Sequence, residues 1–279
     1  MAQRSGSVRD TLARAVARSR NALAERSRPW VADAFMRSYY DLGDAVDAGV
    51  TWKGTSWMGV PIRKCPTDLW LYQEILAELR PDVVVECGTA FGGSALYFAH
   101  LCDVLGNGSV VTVDIDDWDV EVPGYTGRPS HPRITYLRGS SVDPAMVEQV
   151  RSHVADGATV MVVLDSDHRR DHVLAELRAY APMVTPGSLL VVEDTMLNGH
   201  PVHRDFGPGP MEAVDAFLAD DDRFAVEPLH EKFLVSFNPR GYLRRRDGNP
   251  AGAGAGRQTR SGLLGARPER YKAKKQRVL

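Results

Sequence analysis

Four residues in the second half of the chain have the types and spacing to hold a cation and move a proton: Asp165, His168, Glu193 and Asp194. Asp165 lies near the end of the run TVMVVLDSD at 159–167, and Glu193-Asp194 closes SLLVVED at 188–194. Both runs are short, apolar and rich in β-branched residues, as buried strands are. Side by side and parallel, they would bring their acidic ends into the crevice where open α/β sheets bind ligands. Carboxylates gathered in one crevice either repel each other or share a cation, and an all-oxygen set favours Mg²⁺, with Mn²⁺ or Ca²⁺ next, over Zn²⁺. Asp165, Glu193 and Asp194 are therefore the expected metal ligands. His168 follows Asp165 at the start of a helical stretch, and its imidazole titrates near neutrality, which suits a general base. A hydroxyl is a poor nucleophile until a cation stabilises its alkoxide character and a base takes its proton. The competing local reading makes Asp165, Ser166 and Asp167 a helix cap and Asp194 a turn residue.

A second constellation precedes this one. PDVVVECGTAFGGSALYFAHL is a β-branched run, a glycine loop and a helix, the first unit of a nucleotide-binding sheet. The loop reads E-x-G-x-x-x-G-G and does not by itself choose a cofactor. Glu86 does. A carboxylate at the strand end would repel a pyrophosphate but suits the ammonium and sulfonium of S-adenosylmethionine. Glu86, Gly88, Thr89, Gly92, Gly93 and Ser94 are the expected cofactor contacts, with Ser94 also near the helix cap. Asp114, at the end of SVVTVDID (109–116), is placed to accept the ribose hydroxyls, with Asp116 as fallback. Ser141, after ITYLRG (134–139), is placed at the adenine edge, Asp143 is a candidate cap for the next helix, and Asp165 adds a wall to the cofactor site.

These residues need elements to position them. Helical periodicity appears at 68–79, with Thr67 as its cap and Leu69, Tyr72, Ile75, Leu76 and Leu79 on one face, and again at 143–154, 168–180 and 210–219. A last strand is expected over FLVSFNP, 233–239. The alternation predicts an α/β fold with a doubly wound, mostly parallel sheet and helices on both faces. A chain of 279 residues fits one such domain, here 51–246, between a basic helical extension (1–50, with a helix at 8–27) and a flexible basic tail (247–279) that opens on AGAGAG.

Charge supports this division. Residues 1–28 carry +5 and 247–279 carry +6, and a whole-chain net of −2 leaves −13 for 29–246. An acidic folded part argues against a nucleic-acid groove. No apolar run approaches a membrane span, and the expectation is a cytoplasmic protein, homo-oligomeric, acting on a small-molecule hydroxyl. Cys65, Cys87 and Cys102 match neither a disulfide framework nor a zinc site and are expected as buried thiols.

Several long motifs, in one order across 51–246, give the chain a family resemblance: WMGVPIRKCPTDLWLYQEIL, ECGTAFGGSAL, DSDH, VVED, NGHPVHRDFGPGPMEAV and FLVSFNPRGYLRR. It resembles the bacterial cephalosporin hydroxylase and rhamnosyl O-methyltransferase family. The resemblance implies a class I methyltransferase fold, S-adenosylmethionine, Mg²⁺ at Asp165, Glu193 and Asp194, and methyl transfer to hydroxyls of glycosides or other natural products. Related macrolide-sugar methyltransferases imply a histidine base at His168. Asp167 departs from the family pattern, which often has a small or neutral residue there.

The irregular stretch 195–211, with Pro201, Pro208 and Pro210, reads as a substrate lid in which His200, His203, Arg204 and Asp205 face the acceptor. Trp52 and Trp57 are candidates to cover the cofactor or a sugar ring, or to pack in the core. Two other readings compete. His203-x-Asp205 with His230 has the form of an iron facial triad, which would make the chain an Fe²⁺ and 2-oxoglutarate hydroxylase. The chain could also be a non-catalytic biosynthetic partner that keeps the fold.

Overall fold

The computed structural model describes residues 29–41, 51–116, 125–228 and 232–246. The expected helix at 8–27 and the tail at 247–279 lie outside the described residues. Helix α1 covers 29–41. A short hairpin, β1 (Ser56–Trp57) and β2 (Val60–Pro61), leads into α2 (Pro66–Leu79). Then follow β3 (Val83–Cys87), α3 (Gly93–Leu105), β4 (Ser109–Asp114), β5 (Ile134–Arg138), α4 (Pro144–Ser152), β6 (Val160–Leu164), α5 (Arg170–Tyr180), β7 (Leu189–Val192), α6 (Pro210–Asp220), β8 (Phe224–Val226) and β9 (Tyr242–Arg245).

Seven strands form one sheet in the order β5-β4-β3-β6-β7-β9-β8. The pairs β4/β5, β3/β4, β3/β6 and β6/β7 are parallel, while β9 runs antiparallel to both its neighbours. The chain winds outward from β3 through β4 to β5, then crosses back to β6 on the other side of β3. The crevice between the carboxyl ends of β3 and β6 is the topological switch point of the sheet.

Strand parity decides what each face carries. Val83, Val85, Cys87, Val162, Leu164, Leu190 and Val192 pack with α4, α5 and α6 on one face. Val84, Val110, Met161, Val163, Leu189 and Val191 pack with Tyr72, Ile75 and Leu76 of α2 and Phe98 of α3 on the other. Glu86, Thr112, Asp165 and Glu193 continue this second series. Four polar groups thus reach the carboxyl edge of the sheet on the α2/α3 face.

Three boundaries differ from the sequence reading. Helix α2 begins at Pro66 with Cys65 as its N-cap; the Thr67 hydroxyl instead donates to the Val235 carbonyl at 2.7 Å. Helix α3 begins at Gly93 behind Gly92, so Ser94 is no cap. The strand expected at 233–239 is irregular, and the ladder is made by Tyr242–Arg245. Residues 233–239 are taken by other partners. Ser236 Oγ and the Phe237 amide donate to buried Asp68 of α2 at 2.6 and 2.8 Å, Tyr242 OH donates to it at 2.9 Å, and the Phe237 carbonyl accepts from the Met196 amide. A backbone clamped to a carboxylate and a loop has no groups left for a sheet. All three cysteines are buried and free, as expected.

Burial pushes the Asp68 carboxyl up to about 6 from its ordinary 3.8. The folded state therefore holds this proton more tightly than the unfolded chain does, and stability is lost as pH rises from about 4 through about 6. Asp68→Asn should flatten that slope in urea melts run across this range. Asp68→Ala, which strands three donors, should cost about 2–4 kcal/mol in the same melts.

Candidate active site

Asp165, His168 and Asp194 come together beyond the carboxyl ends of β6 and β7, next to the switch point, with one ligand atom from each within 4.8 Å of the others. His168 Nε2 lies 3.2 Å from Asp194 Oδ2. The Asp194 backbone is left-handed, with φ of 56°, and its amide donates to Asn238 Oδ1 at 2.9 Å, so the chain reverses as it leaves β7. That reversal lets adjacent residues do different work. Glu193, expected in the same set, stays on the strand's inner face, where its Oε1 accepts from Tyr72 OH at 2.6 Å and meets Lys64 Nζ at 2.6 Å. Asp167 is exposed and accepts from the Arg169 amide at 2.9 Å, which makes it the cap of the turn before α5.

Lys64 is the partner that sequence reasoning missed. It is only 2% exposed, and its ammonium bridges Glu193 and Asp165 Oδ2, the latter at 2.7 Å. Burial alone would lower its pKa, but Asp165, Glu193 and Glu86 outweigh burial and raise it, so Lys64 is charged. Nearby carboxyls shift upward, chiefly through burial. Burial and Asp165 drive Glu193 upward; burial, against His168, brings Asp194 to about 6. No feature of the segment between β2 and α2 announces that its lysine points into the sheet edge.

A cleft of about 350 Å³ opens beside this group, lined by Gly88, Asp114, Ser141, Asp165, Ser166 and His172 among others. Glu86, two residues before Gly88 on β3, is fully buried. Its Oε2 accepts from Thr112 Oγ1 at 2.6 Å, its carboxylate is also bonded by Ser94, and Oε1 has no hydrogen-bond partner. Since the Thr112 proton goes to Glu86, the Thr89 hydroxyl 2.7 Å away donates to Thr112. Gly88, at φ of +97°, passes so close to β6 that a Cβ would stand 1.9 Å from the Asp165 carbonyl oxygen.

The other expected cofactor contacts are placed differently. At Gly93 a Cβ would be 2.2 Å from the Pro61 carbonyl oxygen, and at Gly92 it would meet Pro129 and Tyr136, so both positions admit a close neighbour. Asp114 faces the cleft, but its Oδ2 accepts from the Thr89 and Ala90 amides at 3.0 and 2.8 Å and meets Arg128 at 3.5 Å, which clamps the glycine loop. Its Oδ1 accepts from the Asp116 amide. Ser141 lines the cleft with its hydroxyl donated to Glu176 at 2.5 Å, while Asp143 caps α4 as anticipated. Ser166 also donates to Glu176, at 2.6 Å, and His172 Nε2 is 3.2 Å from both serines. His172 and Glu176 are one helical turn apart on α5, a spacing visible in sequence without any sign that it faced a cleft.

The stretch 195–209 is anchored at several points. Met196, Leu197 and Val202 are buried with Met36, Tyr40 and Phe237. His200 Nε2 pairs with Glu212 at 2.9 Å, His203 meets Tyr40 edge-on at 5.4 Å, and Arg204 packs over Gly199. Trp52 stacks on Tyr40 at 4.9 Å, and Trp57 donates to His100 at 2.9 Å, so both tryptophans pack within the protein. Neither His203 nor Asp205 belongs to a metal-holding group among the described residues, and His230 lies outside them.

Comparison with known proteins decides the family. Residues 50–246 match the model of the family described as rhamnosyl O-methyltransferase/CmcI. The chain belongs to this family. It is 36% identical over 241 residues to a rhamnosyl O-methyltransferase of Mycobacterium tuberculosis (strain H37Rv), covering 84% of this chain and 93% of that protein. A rhamnosyl O-methyltransferase of Mycobacterium leprae is 37% identical over 223 residues, or 77% and 91% of the two chains. Among solved structures, apo CmcI in its N160 form superimposes with a TM-score of 0.54 at 22% identity, over 72% of this chain and 81% of that one. The fold is the class I methyltransferase fold. The iron-hydroxylase reading is not favoured.

Gly88→Ala should displace the Asp165 carbonyl and strain a left-handed residue together. We expect a loss of about 1–3 kcal/mol in thermal or urea melts, with wild-type far-ultraviolet circular dichroism in the folded baseline.

Proposed function

We propose that this family member is an S-adenosylmethionine-dependent O-methyltransferase acting on a hydroxyl of a sugar or glycosylated natural product, with Mg²⁺ and with His168 as general base. The observation that carries the reading is the Asp165, His168 and Asp194 group, whose Asp165 also lines the cleft beside Gly88, together with the buried Glu86 oxygen near the end of β3 that has no hydrogen-bond partner.

The residues present fit both groups. Glu86 Oε1 is a buried acceptor without a donor, as the ammonium of an amino-acid-type cofactor requires. The Asp165 and Asp194 carboxylates of the gathered group suit a hard divalent ion, with Glu193, now engaged by Tyr72 and Lys64, proposed as the third ligand. S-adenosylmethionine supplies the electrophilic methyl, and Mg²⁺ supplies Lewis acidity that eases ionisation of the acceptor hydroxyl. This chain's own residues do the rest. Glu86 anchors the cofactor's charged end, with Ser94 and Thr112 orienting its carboxylate. Asp114 holds the glycine loop in shape through its two amide contacts. His168 accepts the proton that the acceptor oxygen loses, and Asp194, whose carboxylate faces its Nε2 at 3.2 Å, steadies the imidazolium that results. Relatives named rhamnosyl O-methyltransferases support a sugar acceptor, and His200, His203 and Arg204 are proposed to border its path.

Methyl transfer to a panel of rhamnosyl and other deoxysugar glycosides, followed by mass, tests the function. Chelator should abolish turnover, and Mg²⁺ should restore it. His168→Ala should lower kcat by roughly 10²–10⁴-fold with cofactor affinity unchanged, measured by calorimetry. Full turnover in chelator would remove the metal from the mechanism, and failure to bind S-adenosylmethionine with or without Mg²⁺ would remove the function itself.

Glu86 offers a pH test. Burial holds its carboxyl up at about 7, against the pull of Lys64. A cationic ligand binds the ionised form, so cofactor affinity should rise as pH climbs through about 7. Glu86→Gln should flatten that rise and weaken binding roughly ten- to hundredfold in the same titration, the range of one lost charge-assisted hydrogen bond.

A further inference from the structure

We propose that Lys64 is a positioning residue and a built-in counter-ion that sets how strongly the carboxylate group takes up a divalent cation. The inference rests on the metal reading above. Lys64 itself is assigned to neither cofactor nor metal.

The argument begins with geometry. Lys64 leaves the segment between β2 and α2, is 2% exposed, and places one ammonium 2.7 Å from Asp165 and 2.6 Å from Glu193. Tyr72 OH approaches the same Glu193 oxygen from α2, and Lys64 interacts electrostatically with Glu86 and Asp68 as well. Asp165 and Glu193 directly follow the neighbouring parallel strands β6 and β7, and among the described residues Lys64 is the lysine that pairs with both. His168, the remaining titratable neighbour, is paired with Asp194. A lysine is seldom buried so fully unless it is paired, and this one is paired twice.

Charge then sets the consequence. With Asp165, Glu193 and Asp194 ionised, the three carboxylates and Lys64 carry a net −2, the charge that one divalent ion balances. Without Lys64 the group carries −3. In the metal-free protein Lys64 keeps Asp165 and Glu193 from driving each other apart; in the metal-bound protein it works against the ion. The protein therefore gives up metal affinity for a site that keeps its shape when empty.

This separates Lys64 from a merely structural residue, because removing a structural support loosens a site, whereas removing a competing cation tightens it. Full-length Lys64→Gln keeps hydrogen-bond donors for both carboxylates and loses the charge. Mg²⁺ titrations by calorimetry and by thermal melting should show the variant less stable than wild type in chelator, yet binding Mg²⁺ roughly ten- to hundredfold more tightly, with a larger rise in Tm on saturation. Equal or weaker binding than wild type overturns the proposal. Should the variant fail to fold in chelator, refolding with Mg²⁺ decides: recovery supports a missing charge that the ion supplies, and failure to recover overturns it. Wild type that binds no Mg²⁺ at all overturns instead the metal reading, a result distinct from a variant that binds no better than a wild type that does bind.

Discussion

The site depends on one ammonium held among carboxylates. The parity of parallel strands sends Glu86, Asp165 and Glu193 to the carboxyl edge of one sheet face, and the turn after β7 adds Asp194. Like charges converging at low dielectric would push the edge open. Lys64, pinned between Asp165 and Glu193 at under 3 Å from each, is what lets the edge close. Burial raises the carboxyls of Glu86, Glu193 and Asp194, the repulsion of Asp165 adds to it, and Lys64 pulls against both.

Around that edge, the polar residues divide into those that hold shape and those that face the cleft. Asp114 clamps the glycine loop through backbone amides, Asp68 clamps 236–237 and Tyr242, and Asn238 takes the Asp194 amide. These contacts bring the irregular segment before β9 against the turn after β7. The chain spends buried acceptors on positioning loops because the sheet alone fixes only strand ends, and catalytic groups one or two residues beyond a strand need further restraint.

The family match, together with sequence identity of 36% to a mycobacterial rhamnosyl O-methyltransferase over most of both chains, sets the frame for the site. Within it, the structure distributes roles more unevenly than the motifs suggest. Of the glycine loop, Gly88 borders the cleft while Gly92 and Gly93 admit neighbouring segments. His172, Ser141 and Ser166 form one polar wall of the cleft, tied together from behind by buried Glu176, and of these the sequence singles out only Ser141 for the site.

The sequence by itself determined the strands of the parallel sheet, the order of its units and the neighbourhood of Asp165, His168 and Asp194. Those follow from local periodicity and from the rule that parallel strands align their carboxyl ends. It determined the Asp143 cap for the same reason, because a cap is a contact two residues long. What only the tertiary structure decided are contacts spanning the chain. Lys64 meets a carboxylate 101 residues away, and Phe237 gives its amide to Asp68 across 169 residues, turning an apparent strand into a clamp. An apolar, β-branched stretch signals burial, but whether its backbone pairs in a ladder or with a buried carboxylate depends on which groups reach it, and no local pattern records that.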